Sequence, residues 1–188
     1  MLKYIEETGK YVEIAGFRNI MICDAKELLR AVRKEKQQPV WIQFFDAELV
    51  ATWQHLHFAV LNALLVFKNE RNISKSVVME TMLYASAQRQ IRRAIDLMGV
   101  KCDSANVAVV IIGESLDSVK KALSAVSEAI GAEPDGTVLD LSRKKARRIR
   151  EAFGINEKEL KAVMEKNNVE QALVKLVIER MALLSSRH

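Results

Sequence analysis

Apolar residues along this chain fall into two patterns: short unbroken runs, and stretches at helical spacing. Strands interleaved with helices give such a mixture. YVEIAGFRNIMI, residues 11–22, reads as one or two short strands, with Gly16 at a turn or bulge. Asp24 can cap the helix DAKELLRAVRKEK, whose apolar stripe is Ala25, Leu28, Leu29 and Val32. Pro39 ends the connection, and VWIQFF, residues 40–45, has the β-branched and aromatic content of a buried strand. Asp46 is placed to cap a long helix, AELVATWQHLHFAVLNALLVFKN. Being apolar on nearly every side, that helix is expected at the centre, covered on both faces. NISKSVVMETMLYA reads as a helix capped by Ser74 or Ser76.

The pattern then becomes less ordinary. Across YASAQRQIRRAIDLMGV, residues 84–100, and the leucine before it, the residues Leu83, Ala87, Ile91, Ala94, Ile95 and Met98 make an apolar stripe, and Gly99 is a natural left-handed stop. Ser86 suits either one continuous helix or the cap of a fresh one. NVAVVIIG, residues 106–113, has no polar alternation and reads as a strand buried on both faces. SLDSVKKALSAVSEAIG is an amphipathic helix ended by Gly131, and TVLDL after the Pro134–Gly136 turn reads as a last strand. SRKKARRIREAFG is a short helix with Ala146, Ile149 and Phe153 inward. NEKELKAVMEKN and NVEQALVKLVIERMALLS close the chain as helices, with Asn168 and Gln171 at capping-box spacing. The expected fold is mixed α/β: one domain over residues 1–188, with a small sheet of about four strands among about seven to eight helices.

Charge sharpens this picture. The net charge is +5, but residues 68–101 carry +4, residues 102–141 carry −5, and six basic residues between Arg143 and Arg150 stand with no acidic one. Localised positive charge attracts phosphate backbones, or it marks solvated helix faces. Cys23 and Cys102 are far apart and in no metal spacing, and MLKYIEETGK lacks the apolar core of a secretory leader. The longest apolar run, Phe58 to Phe67, is too short for a bilayer, so the protein is expected to be cytoplasmic.

Chemistry-bearing motifs are scarce. There is no Walker-type loop, no GxGxxG after a strand and no GxSxG elbow. His55 and His57 are two apart on a helix and point in different directions, which makes them poor co-ligands. No catalytic residue, metal or cofactor is expected. Arg143, Lys144 and Lys145 fall in the first turn of their helix, where cations cost about 0.3–1 kcal/mol each against the helix dipole, so local stability does not explain them. Gln88, Arg89, Arg92 and Arg93 lie off the apolar stripe. Arginine forks suit phosphate, and glutamine amides suit base edges, a mix fitted to a single-stranded RNA end. The competing reading is a solvated face on which Asp96 pairs with Arg92 or Arg93.

ETMLYASAQRQIRRAIDLMGV, followed by a spacer and VAVVIIG, resembles the Cgi family of kinase-binding subunits of the KEOPS complex, the assembly that makes threonylcarbamoyladenosine on tRNA. Glu80, Leu83 to Ser86, Gln90, Ile91, Ala94 and Gly99 carry the likeness. FFDAELVATWQHLHFAVLNAL and ALVKLVIERMALLS extend it over residues 12 to 184. The resemblance implies a non-catalytic adaptor that docks on the small atypical kinase-like ATPase of that complex and helps bind the 3′ CCA end of tRNA. It also implies a new helix beginning at Ser86. RNA contacts are accordingly expected at Lys68, Arg71, Lys75, Ser86, Gln88, Arg89, Gln90, Arg92 and Arg93. The first three would serve if their helices pack beside the Ser86 region. Partner contacts are expected from the last helix, at Val174, Leu176, Val177, Ile178 and Met181. Two other functions fit the residues: a free-standing RNA-binding protein of the translation apparatus, and a small-molecule enzyme with a site near Glu114 and Ser115.

Overall fold

The computed structural model describes residues 1–20, 22, 28, 32, 40–166 and 168–184. Asp24 and most of its expected helix lie outside the described residues; Leu28 and Val32 lie within them. Four strands form one antiparallel sheet: β1 (Leu2–Ile5), β2 (Lys10–Arg18), β3 (Trp41–Asp46) and β4 (Asn106–Gly113), in the order β1-β2-β4-β3. The described helices are seven: α1 (Trp53–Lys68), α2 (Val77–Ser86), α3 (Ile91–Met98), α4 (Leu116–Ile130), α5 (Arg143–Phe153), α6 (Glu157–Val163) and α7 (Val169–Ala182). None is long and apolar enough to cross a membrane.

β4 is central because its unbroken apolar run can face helices on both sides. It pairs with β2 through Ile14↔Val110 and with β3 through Gln43↔Val110. Successive side chains then alternate between two cores. Ala108, Val110 and Ile112 join Val12, Ile14 and Phe45 beneath α1, α2 and α3. Val107, Val109 and Ile111 join Ala15, Phe17, Ile42 and Phe44 beneath α4, with Ile22 and Val32. A third cluster holds α5, α6 and α7 together through Ile149, Leu160, Leu173, Leu176 and Val177.

The strand count matches expectation, but one member differs. TVLDL is not a strand. Asp135 accepts from the Thr137 amide at 2.9 Å and from its hydroxyl at 2.6 Å, which curls Gly136–Leu139 into a 3-10 turn. The fourth strand is β1, whose polar and exposed residues hide it in the sequence; it is ordered by pairing with β2. Gly16 sits at neither a turn nor a bulge. It lies within β2, opposite Ala108, because a Cβ there would come 2.7 Å from the Val138 Cβ and 2.9 Å from the Asp135 carbonyl oxygen. The 3-10 turn packs directly on that bare backbone.

The long helix from Asp46 is also two pieces. Asp46 caps only the 3-10 turn Ala47–Leu49, and α1 begins afresh after Thr52. One side of α1 is buried through His55, Leu56, Ala59, Val60, Ala63 and Leu64, while Phe58 is exposed, so the helix is covered on one face and not on both. Gly131 ends α4 in the left-handed region, as its position suggested. Asn168 caps α7 by accepting from the Gln171 amide at 2.9 Å, and α6 carries the full capping box, Asn156 with Glu159.

Candidate functional site

The stretch from Tyr84 to Val100 is broken, and the break is unusual. α2 runs to Ser86, and Ala87 then adopts φ 51°, ψ 34°, the left-handed region that favours glycine. The Ala87 amide donates to the Tyr84 carbonyl at 2.9 Å and the Gln88 amide to the Leu83 carbonyl at 3.1 Å. This is a Schellman stop with alanine in the glycine position. Ser86 therefore ends a helix and does not begin one. Its hydroxyl is buried and donates to the Met82 and Leu83 carbonyls at 2.8 and 3.1 Å, which leaves it unable to read a base from the surface. The fresh helix starts at Ile91, with Gln90 as its N-cap. Gly99, read as the left-handed stop, is instead extended at φ −68°.

Buried side chains fix both ends of α2. His55 near the start of α1 accepts from the Ala51 amide at Nδ1 (3.2 Å) and donates from Nε2 to the Ala85 carbonyl at 2.8 Å, which fixes the neutral tautomer. Burial pushes its pKa down to about 4, and the charge of Lys145 works in the same direction against the Ala85 hydrogen bond. The Phe153 ring stands edge-on to it at 5.7 Å. At the far end of α2, the buried Glu80 carboxylate accepts from the Ile73 amide at 3.1 Å and from the Ser74 amide at 2.7 Å, holding the approach to the helix.

The break opens onto a cleft of about 170 Å³ lined by Ser86, Ala87, Gln88, Ala152, Phe153 and Arg180. Phe153 offers an aromatic wall, Gln88 an amide, and Arg180 a guanidinium that pairs with Glu159. Arg89 Nη1 reaches the Leu184 carbonyl at 3.4 Å, which ties the break to the end of α7. The N-cap Gln90 and, on α3, Arg92 and Arg93 are exposed, and among the described residues neither arginine pairs with Asp96. The continuous stripe is not realised: Ala94 and Met98 are buried, while Ile91 and Ile95, each 44% exposed, stand among the arginines.

The remaining expected RNA contacts lie elsewhere. α1 and α2 do pack as neighbours, but antiparallel, so that the start of α1 meets the end of α2. Lys68, Arg71 and Lys75 therefore sit at the opposite end of α2 from the break, roughly 15 Å away along a ten-residue helix. Lys68 donates to the Glu7 carbonyl at 2.8 Å. On α7, Leu176, Val177 and Met181 are core residues, and only Val174 and Ile178 keep part of their surface. Val174 lines a groove of about 470 Å³ with Trp53, Gln54, Leu141 and Gln171.

Inspection of the sequence missed Phe153 and Arg180, because neither is near the break along the chain. It also misread Lys145. This lysine is buried, and its ammonium donates to the Val138 carbonyl at 2.9 Å and the Asp140 carbonyl at 3.0 Å. Burial lowers its pKa to about 8 despite the nearby Glu48, Asp140 and Asp46. Glu114 pairs with Lys10, and Ser115 caps α4, so both are engaged in structure at the place where a small-molecule site was weighed.

Residues 17–185 match a family model described as kinase binding protein CGI-121. The chain is also 38% identical over 113 residues to the "Regulatory protein Cgi121" of Methanocaldococcus jannaschii, an alignment covering 60% of this chain and 70% of that protein. A match over most of the chain, joined to a curated relative at this identity, fixes the affiliation. The chain belongs to the CGI-121 family of kinase-binding proteins.

Proposed function

We propose that this protein is a non-catalytic adaptor that binds a small kinase-like ATPase and helps recruit tRNA by its single-stranded 3′ end, the role its resemblance to the KEOPS subunits implies. The observation that carries the RNA half is the cleft at the left-handed break. Its aromatic wall, amide and guanidinium suit a nucleobase, and Arg92 and Arg93 on the adjoining helix suit the phosphates that follow. Ile91 and Ile95 add an exposed apolar shelf between those arginines. Strain in the backbone beside such a cleft agrees with a binding role. The kinase half rests on family membership, and its contact surface is the outer edge of α7, at Val174 and Ile178.

Titration of tRNA onto the purified protein tests the RNA half. Arg92→Glu with Arg93→Glu weakens binding and lowers the salt slope by roughly 0.7 for each lost single-strand phosphate contact. Removal of the unpaired 3′ tail weakens the wild type far more than this variant. Equal tail dependence in both proteins would remove the cleft from the RNA site. For the kinase half, Val174→Glu and Ile178→Glu abolish co-purification of a kinase-sized partner while circular dichroism stays native. Folded variants that retain the partner would place its contact elsewhere.

A further inference from the structure

The cations of the basic helix α5 take no part in either proposed contact. Of its six cations, Lys145 is turned inward, while Arg143, Lys144, Arg147 and Arg148 are exposed and Arg150 is partly so. Their own protein neutralises them poorly. Arg147 pairs with Glu151 at 3.2 Å, both well exposed, and Arg150 lies 3.9 Å from Glu157. Exposed pairs of this kind contribute about 0–1 kcal/mol and exchange readily. Arg148 reaches Glu48 at 3.2 Å. Arg143 and Lys144 form no ion pair among the described residues, and they occupy the first turn, where the helix dipole disfavours cations. Arg143 with Arg147, and Lys144 with Arg148, also set like charges one turn apart. The helix thus carries charge at a cost to its own stability.

The position of α5 says what that charge meets. Its last residues, Ala152 and Phe153, form one wall of the cleft whose other wall is the break at Ser86–Gln88. From that cleft the helix extends for roughly 16 Å over its eleven residues, and a groove of about 410 Å³ at its C-terminal end is lined by Arg147, Arg150 and Glu151 with the turn Gly154–Asn156. Outward cations therefore recur along the helix from Arg150, near the cleft, to Arg143, and four of the five are arginines, whose forks match phosphate oxygens. A linear polyanion fits such a track.

We propose that α5 is a second nucleic-acid surface, gripping the phosphate backbone of the double-helical part of an RNA whose single-stranded end lies in the cleft. The choice of RNA rests on the reading of the break given above; the charge argument for α5 does not. The test uses the full chain and two probes, a short blunt-ended RNA duplex and the same duplex with a single-stranded 3′ overhang, each titrated at several salt concentrations. Arg143→Glu with Lys144→Glu weakens both probes about tenfold and lowers the salt slope by roughly 0.9 for each lost duplex contact. Arg92→Glu with Arg93→Glu removes the gain from the overhang and weakens the blunt duplex less than the α5 variant does. If the α5 variant binds the blunt duplex with wild-type affinity and slope, the proposal is overturned, whatever happens at the break. The same holds if that variant keeps its RNA binding and loses the kinase partner, since α5 would then meet an acidic protein surface. If α5 matters for the duplex while Arg92 and Arg93 prove neutral, the proposal stands and the reading of the break falls.

Discussion

Ala87 sits at φ 51°, ψ 34°, where its Cβ crowds its own backbone. An L-residue pays about 1–2 kcal/mol there, and glycine pays no such cost. Replacement by glycine also adds freedom to the unfolded chain, worth about 0.4–1 kcal/mol in the other direction. Ala87→Gly is therefore expected to stabilise the fold by about 0.5–1 kcal/mol, read as a higher urea midpoint with an unchanged slope. A lower midpoint would mean that the alanine methyl has packing value that exceeds its strain. Alanine suffices at this position because the stop is enforced from outside, by His55 gripping the Ala85 carbonyl and Arg89 reaching the end of α7.

Among the elements, β2 and the 3-10 turn Gly136–Leu139 depend on a single missing methyl. Val138 and the Asp135 carbonyl rest on Gly16, the Asp135 amide donates to the Gly16 carbonyl at 2.8 Å, and Arg18 holds Asp135 and Thr137 at 2.7 and 2.6 Å. Backbone and a β-branched side chain cannot move aside cheaply. Gly16→Ala is expected to cost about 1–3 kcal/mol, the usual toll of overpacking. Chemical denaturation measures it, and a neutral result would show that the 3-10 turn can lift off the strand. Lys145 binds to the same turn from the other side, through the Val138 and Asp140 carbonyls, so α5 is anchored to the sheet by the turn that the sequence pattern suggested as a strand.

At the scale of the whole molecule, two buried bases shape stability against pH. His55 falls from an ordinary 6.5 to about 4 in the folded protein, so the unfolded chain binds its proton first. Stability from this residue is complete above pH 6.5 and drains away as pH falls from 6.5 to 4, by about 3 kcal/mol at 1.36 kcal/mol per unit. Lys145 falls from 10.5 to about 8. Again the unfolded state holds the proton more tightly, so stability rises between pH 8 and 10.5, by an amount on the order of 3 kcal/mol. Urea denaturation across this range, set against His55→Gln and Lys145→Met, isolates the two slopes. His55→Gln flattens the acid limb and Lys145→Met the alkaline one; a variant curve parallel to wild type would remove that residue from the balance.

Local pattern alone determined much of this protein. The central place of β4, the glycine stop of α4, the inward Ala146, Ile149 and Phe153 of α5, and the gathering of positive charge into two segments all follow from spacing and composition, because neighbours along the chain carry those signals. The family likeness was legible too, in polar anchors such as Glu80 set among apolar runs. Other features were decided only when elements met. Periodicity shows that α7 has two apolar faces, but the packing of α5 and α6 chose Leu173, Leu176 and Val177 as core and left Val174 and Ile178 at the edge. Nothing in the sequence Ser-Ala-Gln announces a left-handed stop, because the energy that holds Ala87 there comes from residues dozens of positions away. Lys145 looks like its basic neighbours in the sequence and is separated from them by two carbonyls that only the fold brings to it. The cleft exists for the same reason: the end of α2 and the end of α5 are remote along the chain and adjacent in space, and tertiary packing alone makes them walls of one site.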